Sequence, residues 1–176
     1  MSMKPSITTT PGAPSDAKTL AQIKQAIWLD TYLSEELGIT EQDVLDKDFL
    51  CPQRIAARAE HMAIDDGVNH TLVARQDDVI VGYGRVVRER DYDEVVTLYV
   101  LPDYQGIGAG SALLEGLLDW SNGREIRLEV VPFNTKAIQF YEKFGFKLGD
   151  PIPPGKPTFP SGKHLPCVEM TRKSEV

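Results

Sequence analysis

Apolar residues recur along this chain with two periods, and the changes of period mark out its elements. Ile7 to Thr10 is short and β-branched and predicts a first strand, ended by Pro11, Gly12 and Pro14. Ser15 or Asp16 then caps a helix with a stripe at Leu20, Ile23, Ala26 and Ile27. Thr31 and Leu33 continue it less regularly, and Gly38 is a stop. Trp28 and Tyr32 are four apart and share one helix face. A second helix follows Pro52, with Ile55, Ala56, Ala59 and Met62 on one side and Asp65, Asp66 and Gly67 closing it.

The period then shortens. From His70 the chain carries β-rich runs broken by Asp77-Asp78 and by the polar stretch Arg88 to Asp93. These predict a meander of three strands, near 71–75, 79–87 and 95–100. Helical spacing returns at Leu113, Leu114, Leu117 and Leu118, with Gly123 as its end. Ile126 to Val131 predicts another strand. Asn134 then opens a helix on which Ala137, Phe140, Tyr141 and Phe144 fall at i, i+3, i+4 and i+7, with Gly145 as C-cap. Strand, helix and strand imply a right-handed crossover, so the strands at 95–100 and 126–131 should run parallel. The Pro- and Gly-rich segment PIPPGKPTFPSGKHLP predicts an irregular loop before a last strand near Cys167 to Thr171. Without repeats or a composition break, residues 1–176 read as a single mixed α/β domain with an antiparallel first half.

Charge and composition narrow the function. The net charge of −7 disfavours nucleic acid, which calls for a basic surface, and suits a cationic small substrate or simply a solvated acidic face. No apolar run approaches the ~20 residues of a membrane span. The N-terminus lacks an apolar signal core, so a cytoplasmic protein is expected. Cys51 and Cys167 read as reduced thiols, and His61, His70 and His164 lack ligand spacing, so no metal site is expected.

The chemistry-bearing stretch is VLPDYQGIGAGSALLEGLL, residues 100–118. A glycine turn before a helix bares backbone N–H groups, and the first helical turn has no internal acceptors for its own. Together with the helix dipole they hold phosphate oxygens. A P-loop would need Lys followed by Ser or Thr after the glycines, and the run here is QGIGAGS. A dinucleotide fold would place GxGxxG after the first strand of a βαβ unit, whereas this GxGxG follows a meander. A tight turn serving only helix–sheet packing explains the glycines equally well.

The wider pattern resembles a known family. VLPDYQGIGAG, followed by LEVVPFNTKAIQFYEKFGF, is similar to the GCN5-related N-acetyltransferase (GNAT) superfamily, whose acetyl-CoA motif is Gln/Arg-x-x-Gly-x-Gly/Ala. The second segment matches the family's strand–helix region through Asn134, Ala137, Tyr141, Gly145 and Phe146. The resemblance implies a GNAT-like mixed, mostly antiparallel sheet flanked by helices, with a splayed central parallel pair that admits acetyl-CoA. It implies that Gln105, Gly106, Ile107, Gly108, Ala109, Gly110 and Ser111 receive the diphosphate, that Val100 backbone groups hold the pantetheine arm, and that Asn134 contacts the cofactor beyond that arm. IWLDTY and RIAARAEHM resemble a bacterial branch that includes polyamine acetyltransferases.

Direct transfer of acetyl to a primary amine is the implied reaction, with a small amine or polyamine as acceptor. A peptide N-terminus is the alternative acceptor, and a non-catalytic acyl-CoA sensor the alternative function. Tyr141 is implied as general acid toward the departing thiol, and Phe140 as packing. Glu94 is implied as base, directly or through water, with Asp91 and Asp93 as competitors and Tyr99 placed to order such a water. Trp28 and Tyr32 are implied at the acceptor site, and Arg85, on the central strand region, either meets substrate there or pairs with a nearby acid. No covalent intermediate is needed, so neither cysteine is a nucleophile candidate. Family habit suggests a homodimer.

Overall fold

The computed structural model describes residues 6–174 as one seven-stranded sheet with helices on both faces. The elements in chain order are β1 (Ile7–Pro11), α1 (Ala17–Thr31), α2 (Glu41–Leu45), α3 (Pro52–Ala63), β2 (Asn69–Gln76), β3 (Val79–Arg88), β4 (Asp93–Val100), α4 (Ala109–Ser121), β5 (Ile126–Val130), α5 (Thr135–Lys143), β6 (Lys147–Pro151) and β7 (Val168–Arg172). Strand order is β1-β2-β3-β4-β5-β7-β6, and every neighbouring pair is antiparallel except β4 and β5. The meander, the parallel crossover and the irregular loop of the sequence reading are all present.

Three local features depart from that reading. Neither Ser15 nor Asp16 caps α1 through its side chain. The Asp16 carboxylate instead accepts from Ala13 N at 2.9 Å and from Arg75 Nη2 at 2.9 Å, fixing a 3-10 turn at Pro14–Asp16. Ala26 is exposed, and the buried stripe of α1 is Leu20, Ile23 and Ile27 with Ala21. The sequence reading also lacks α2 and β6. α2 has only five residues, too few to show a period, yet Thr40 and Asp43 form a capping box around its start. All five residues of β6 are exposed, so this edge strand carries no buried-face alternation for a pattern to reveal.

The core has two layers. On one side α4 buries Leu113, Leu114 and Leu117 against Leu72, Val86, Val95, Leu128 and Met170. On the other, Leu20, Ile23 and Ile27 of α1 cover Val73 and Tyr83. β4 carries a bulge that decides which of its side chains faces which layer. Arg85 opposes Thr97 while Val86 opposes Val95, so Val96 is an extra residue. Val95 faces the α4 layer, and beyond the bulge Leu98 and Val100 do so too, while Tyr99 joins the α1 layer.

β4 and β5 pair over only three positions, Asp93 with Ile126, Glu94 with Arg127 and Val95 with Leu128. Beyond them the strands part. Asp93 fixes the paired end. Its buried carboxylate accepts from Arg88 Nε at 3.2 Å and Arg124 Nε at 3.0 Å, and Arg124 also donates to the carbonyls of Glu89, Arg90 and Tyr92.

Candidate active site

The parting of β4 and β5 opens a cavity of about 690 Å³ whose walls come from both strands, α1, α5 and the turn before α4. β4 keeps β3 as a partner on one edge, and from Val96 onward its other edge has no strand beside it. The backbone N–H and C=O groups on that edge therefore face the cavity, where a guest with amide or carbonyl groups would satisfy them.

The glycine turn lies at the end of β4. A 3-10 turn at Pro102–Tyr104 leads into it, and Gly108 occupies the N-cap position of α4 with no side-chain cap. Gly106 has φ 78° and Gly108 φ 97°, in the left-handed region that side chains with a Cβ rarely adopt. A Cβ at either would point into open space, with no heavy atom within 4 Å. The backbone geometry thus calls for glycine at both positions, and what lies in front of them is room. The first N–H groups of α4 point into that room with the positive end of the helix dipole behind them. Gln105 braces the turn: its Nε2 donates to Val100 O at 3.0 Å, and its Oε1 accepts from Lys136 Nζ at 3.3 Å.

Of the residues singled out in the sequence, Tyr32, Val100, Gln105, Gly106, Gly108, Gly110, Ser111, Asn134 and Tyr141 line this cavity together. Ile107 and Ala109 belong to the same stretch without lining the cavity, Ile107 exposed and Ala109 buried at the first position of α4. Asn134 also caps α5, its Oδ1 accepting from Ala137 N at 3.1 Å. Tyr141 is buried between Phe140 and Phe146, and burial, then Tyr99, pushes its hydroxyl well above the usual phenol range. At every physiological pH it keeps its proton.

Trp28 stands one layer behind the wall. Its ring meets that of Tyr32 edge to face at 4.8 Å, and its Nε1 donates to Tyr99 Oη at 2.9 Å. Tyr99 and Tyr32 are hydrogen-bonded in turn, and burial pushes Tyr32 up to about 12. Arg85 lies apart from the cavity on β3, where its Nη2 donates to Asn69 Oδ1 at 2.6 Å. Glu94 sits at the paired end of β4, also off the wall. Alternation against Val95 puts it on the α1 face, the same face as Tyr99. Burial raises its pKa, and Glu129, Glu89 and Glu169 add to the rise.

Two lining residues had no signal that singled them out. Glu129 alternates with buried Leu128 and Val130 and looks in sequence like any exposed strand residue; it pairs with Glu169 of β7 on one flank, and only the parting of β4 on the other turns its position into a cavity wall. Phe140, assigned to packing, lines the cavity as well, and its ring would lie 3.6 Å from a Cβ at Gly110.

Comparison with known proteins agrees with this architecture. An uncharacterized N-acetyltransferase of Mycobacterium tuberculosis strain H37Rv is 42% identical over 98 residues, 53% of this chain and 59% of that protein. The N-alpha-acetyltransferase RimI of the same organism is 40% identical over 83 residues, 45% of this chain and 52% of that protein. This chain therefore spans little more than half the length of these relatives. The crystal structure of the PaiA N-acetyltransferase of Thermoplasma acidophilum in complex with coenzyme A superposes with a TM-score of 0.74 at 22% identity, covering 96% of this chain and 99% of that one. The family model for the acetyltransferase (GNAT) family matches residues 24–146, which run from α1 through the glycine turn to the end of α5, and the chain belongs to that family.

Proposed function

We propose that this chain transfers the acetyl group of acetyl-CoA to the primary amine of a small molecule. The parting of β4 and β5 beyond Val95 carries the reading, because it joins an open strand edge, a glycine turn and a buried phenol in one cavity. The residues fit acetyl-CoA. A slender arm bearing amide groups suits a gap between two strands, and a diphosphate suits bare amides at a helix N-terminus. The amides from Gln105 through Gly110 and the Ser111 hydroxyl would hold the diphosphate, and Val100 and Asn134 the arm. Gln105 Nε2, now on Val100 O, occupies the place of a donor from that arm.

Acetyl-CoA supplies a thioester, an acyl group already activated toward an amine. The chain orients the amine, takes its proton and returns one to the thiol side. Tyr141 is the proton donor, since burial keeps its hydroxyl protonated. Glu94 is the proton acceptor. Its raised pKa makes it a stronger base than an exposed carboxylate, and Glu129 and Asp30 on the cavity wall attract an ammonium ion toward it. Unpaired N–H groups on the free edge of β4 polarise the carbonyl of the acyl group.

Thiol release from acetyl-CoA, measured across a panel of primary amines, tests the proposal. Release that requires an amine and yields the N-acetyl product supports it. Tight coenzyme A binding with no release across the panel overturns it in favour of a sensor. A second reading, acetylation of a peptide α-amine, draws support from the similarity to RimI. Peptides with free N-termini in the same panel decide between the two acceptors.

A further inference from the structure

Lys47, Arg54, Arg58 and Arg85, from the chain after α2, from α3 and from β3, stand close enough to Lys24 of α1 to act on its charge, and Lys47 and Arg54 line a small cavity beside it. The chain has 26 acidic and 19 basic side chains, so partners for these cations should be plentiful. Yet among the described residues none of the five lies within ion-pair distance of a carboxylate. Their contacts are neutral. Lys24 Nζ lies 5.1 Å from the Phe49 ring centre and 5.8 Å from that of Trp28. Lys47 Nζ stands 4.7 Å from the Trp28 ring and donates to Thr158 O. Arg58 Nη1 donates to Tyr83 Oη at 3.5 Å.

Aromatic faces attract cations, but here they do not offset the crowding. Lys24 is pushed down to about 8, by burial first and then by Arg58, Lys47, Arg85 and Arg54. Arg85 is lowered by burial and Arg58, against smaller opposing effects of Tyr83 and Asp66. α3 contributes two of the cations and has no buried residue. A cavity of about 230 Å³ adjoins the group, lined by Lys47, Arg54 and residues 157–160.

We propose that this group of cations binds an oxyanion, a phosphate or carboxylate group carried by the acceptor itself, with Lys24, Lys47, Arg54 and Arg58 as its ligands. Lys24, Trp28 and Tyr32 follow one another at four-residue spacing along one face of α1, and Tyr32 lines the main cavity. At about 1.5 Å per residue, Lys24 and Tyr32 are separated by about 12 Å along the axis. A metabolite of that length would place its amine near Glu129 and its anion among the cations. A polyamine would put like charge beside like charge there. The acceptor assignment rests on the acetyl-transfer reading, whereas the anion site itself does not.

Titration of the protein with inorganic phosphate, with coenzyme A in excess to fill the glycine turn, tests the site without any turnover. Saturable binding is expected, at least tenfold weaker in Lys24→Met and Arg58→Gln. It should be unchanged in Lys18→Met, which removes the same charge from an exposed position. A thermal scan supplies a second readout, because phosphate should raise the wild-type Tm and leave that of Lys24→Met unmoved. No binding, or equal weakening by Lys18→Met, overturns the site. The source of the anion is decided by comparing 8-aminooctyl phosphate, whose amine and phosphate can stand about 12 Å apart, with 8-aminooctan-1-ol as acceptors. A KM at least tenfold lower for the phosphate ester, lost in Lys24→Met while the KM for acetyl-CoA holds, is the expected result. Equal KM values alongside confirmed phosphate binding overturn the acceptor assignment and leave a site for free phosphate. Phosphate binding with no acetylation of any amine refutes the proposed activity alone.

Discussion

At the scale of single residues, the site depends on protons held where burial puts them. Tyr141 owes its high pKa first to burial and then to Tyr99, so its hydroxyl keeps its proton across the working pH range, as the proposed donor role requires. Tyr141→Phe keeps the ring between Phe140 and Phe146 and removes only the hydroxyl. It is expected to lower kcat about 10²-fold while coenzyme A affinity, read by titration, stays within about threefold. Glu94 is raised by burial and then by Glu129. Replacing that neighbour in Glu129→Gln removes a negative charge and lowers the pKa of Glu94. The acidic limb of the kcat/KM pH profile should therefore move to lower pH, and an unmoved limb would detach Glu94 from the base role. Tyr141 was legible in the sequence because it sits in a motif at fixed distance from Asn134 and Gly145. Glu129 was not, since nothing local separates a strand residue facing a neighbour from one facing a gap. Arg85 was marked as either a substrate contact or an acid's partner, and the structure pairs it with Asn69.

At the scale of elements, the glycine turn and the half-paired strands form one device. Gly108 sits at φ 97° and starts α4, so a β-branched residue there must either hold a strained backbone or move the first turn of the helix. Gly108→Val is expected to cost about 1–3 kcal/mol of stability by urea unfolding. It should also weaken coenzyme A binding about tenfold or more, a change of about 1.4 kcal/mol. Strong periodicity made α1, α3, α4, α5 and the meander readable, and the change of period around the glycines predicted the parallel crossover. The bulge at Val96 was not readable. It arises from the register between β3 and β4, and Val95-Val96-Thr97 is an ordinary strand sequence. The bulge nonetheless sends Tyr99 to the α1 side of the sheet and Leu98 to the α4 side.

For the molecule as a whole, distant parts of the chain are tied by few polar anchors. Asp43 at the start of α2 accepts from Lys163 Nζ at 2.7 Å and from Ser161 Oγ at 2.5 Å, across 118 to 120 residues of sequence. These bonds and the Thr40 backbone hold its pKa far below the usual carboxylate range. A carboxylate depressed on folding stabilises the folded state above its unfolded pKa of about 4, and that contribution fades as pH falls. Protection against hydrogen exchange at Phe159 and Leu165, taken relative to the intrinsic rate at each pH, should fall on acidification in the wild type, since their amides are bonded within the 151–166 loop. In Asp43→Asn that protection should be low at all pH values. Charge is also distributed unevenly. The total of −7 suggested a cation-seeking surface, whereas cations without acidic partners stand behind Trp28.

The free edge of β4 carries one more consequence. An unpaired strand edge ordinarily invites a strand from another molecule, which is the first step toward aggregation. Here the edge lies inside the sheet, with β3 on one flank and β5 on the other, joined at Asp93, Glu94 and Val95 like the blades of shears at their pivot. A foreign strand would have to enter lengthwise between them, with β5 barring approach from the side. The protein thus keeps hungry backbone on offer permanently, without the self-association that the same edge would provoke on the rim.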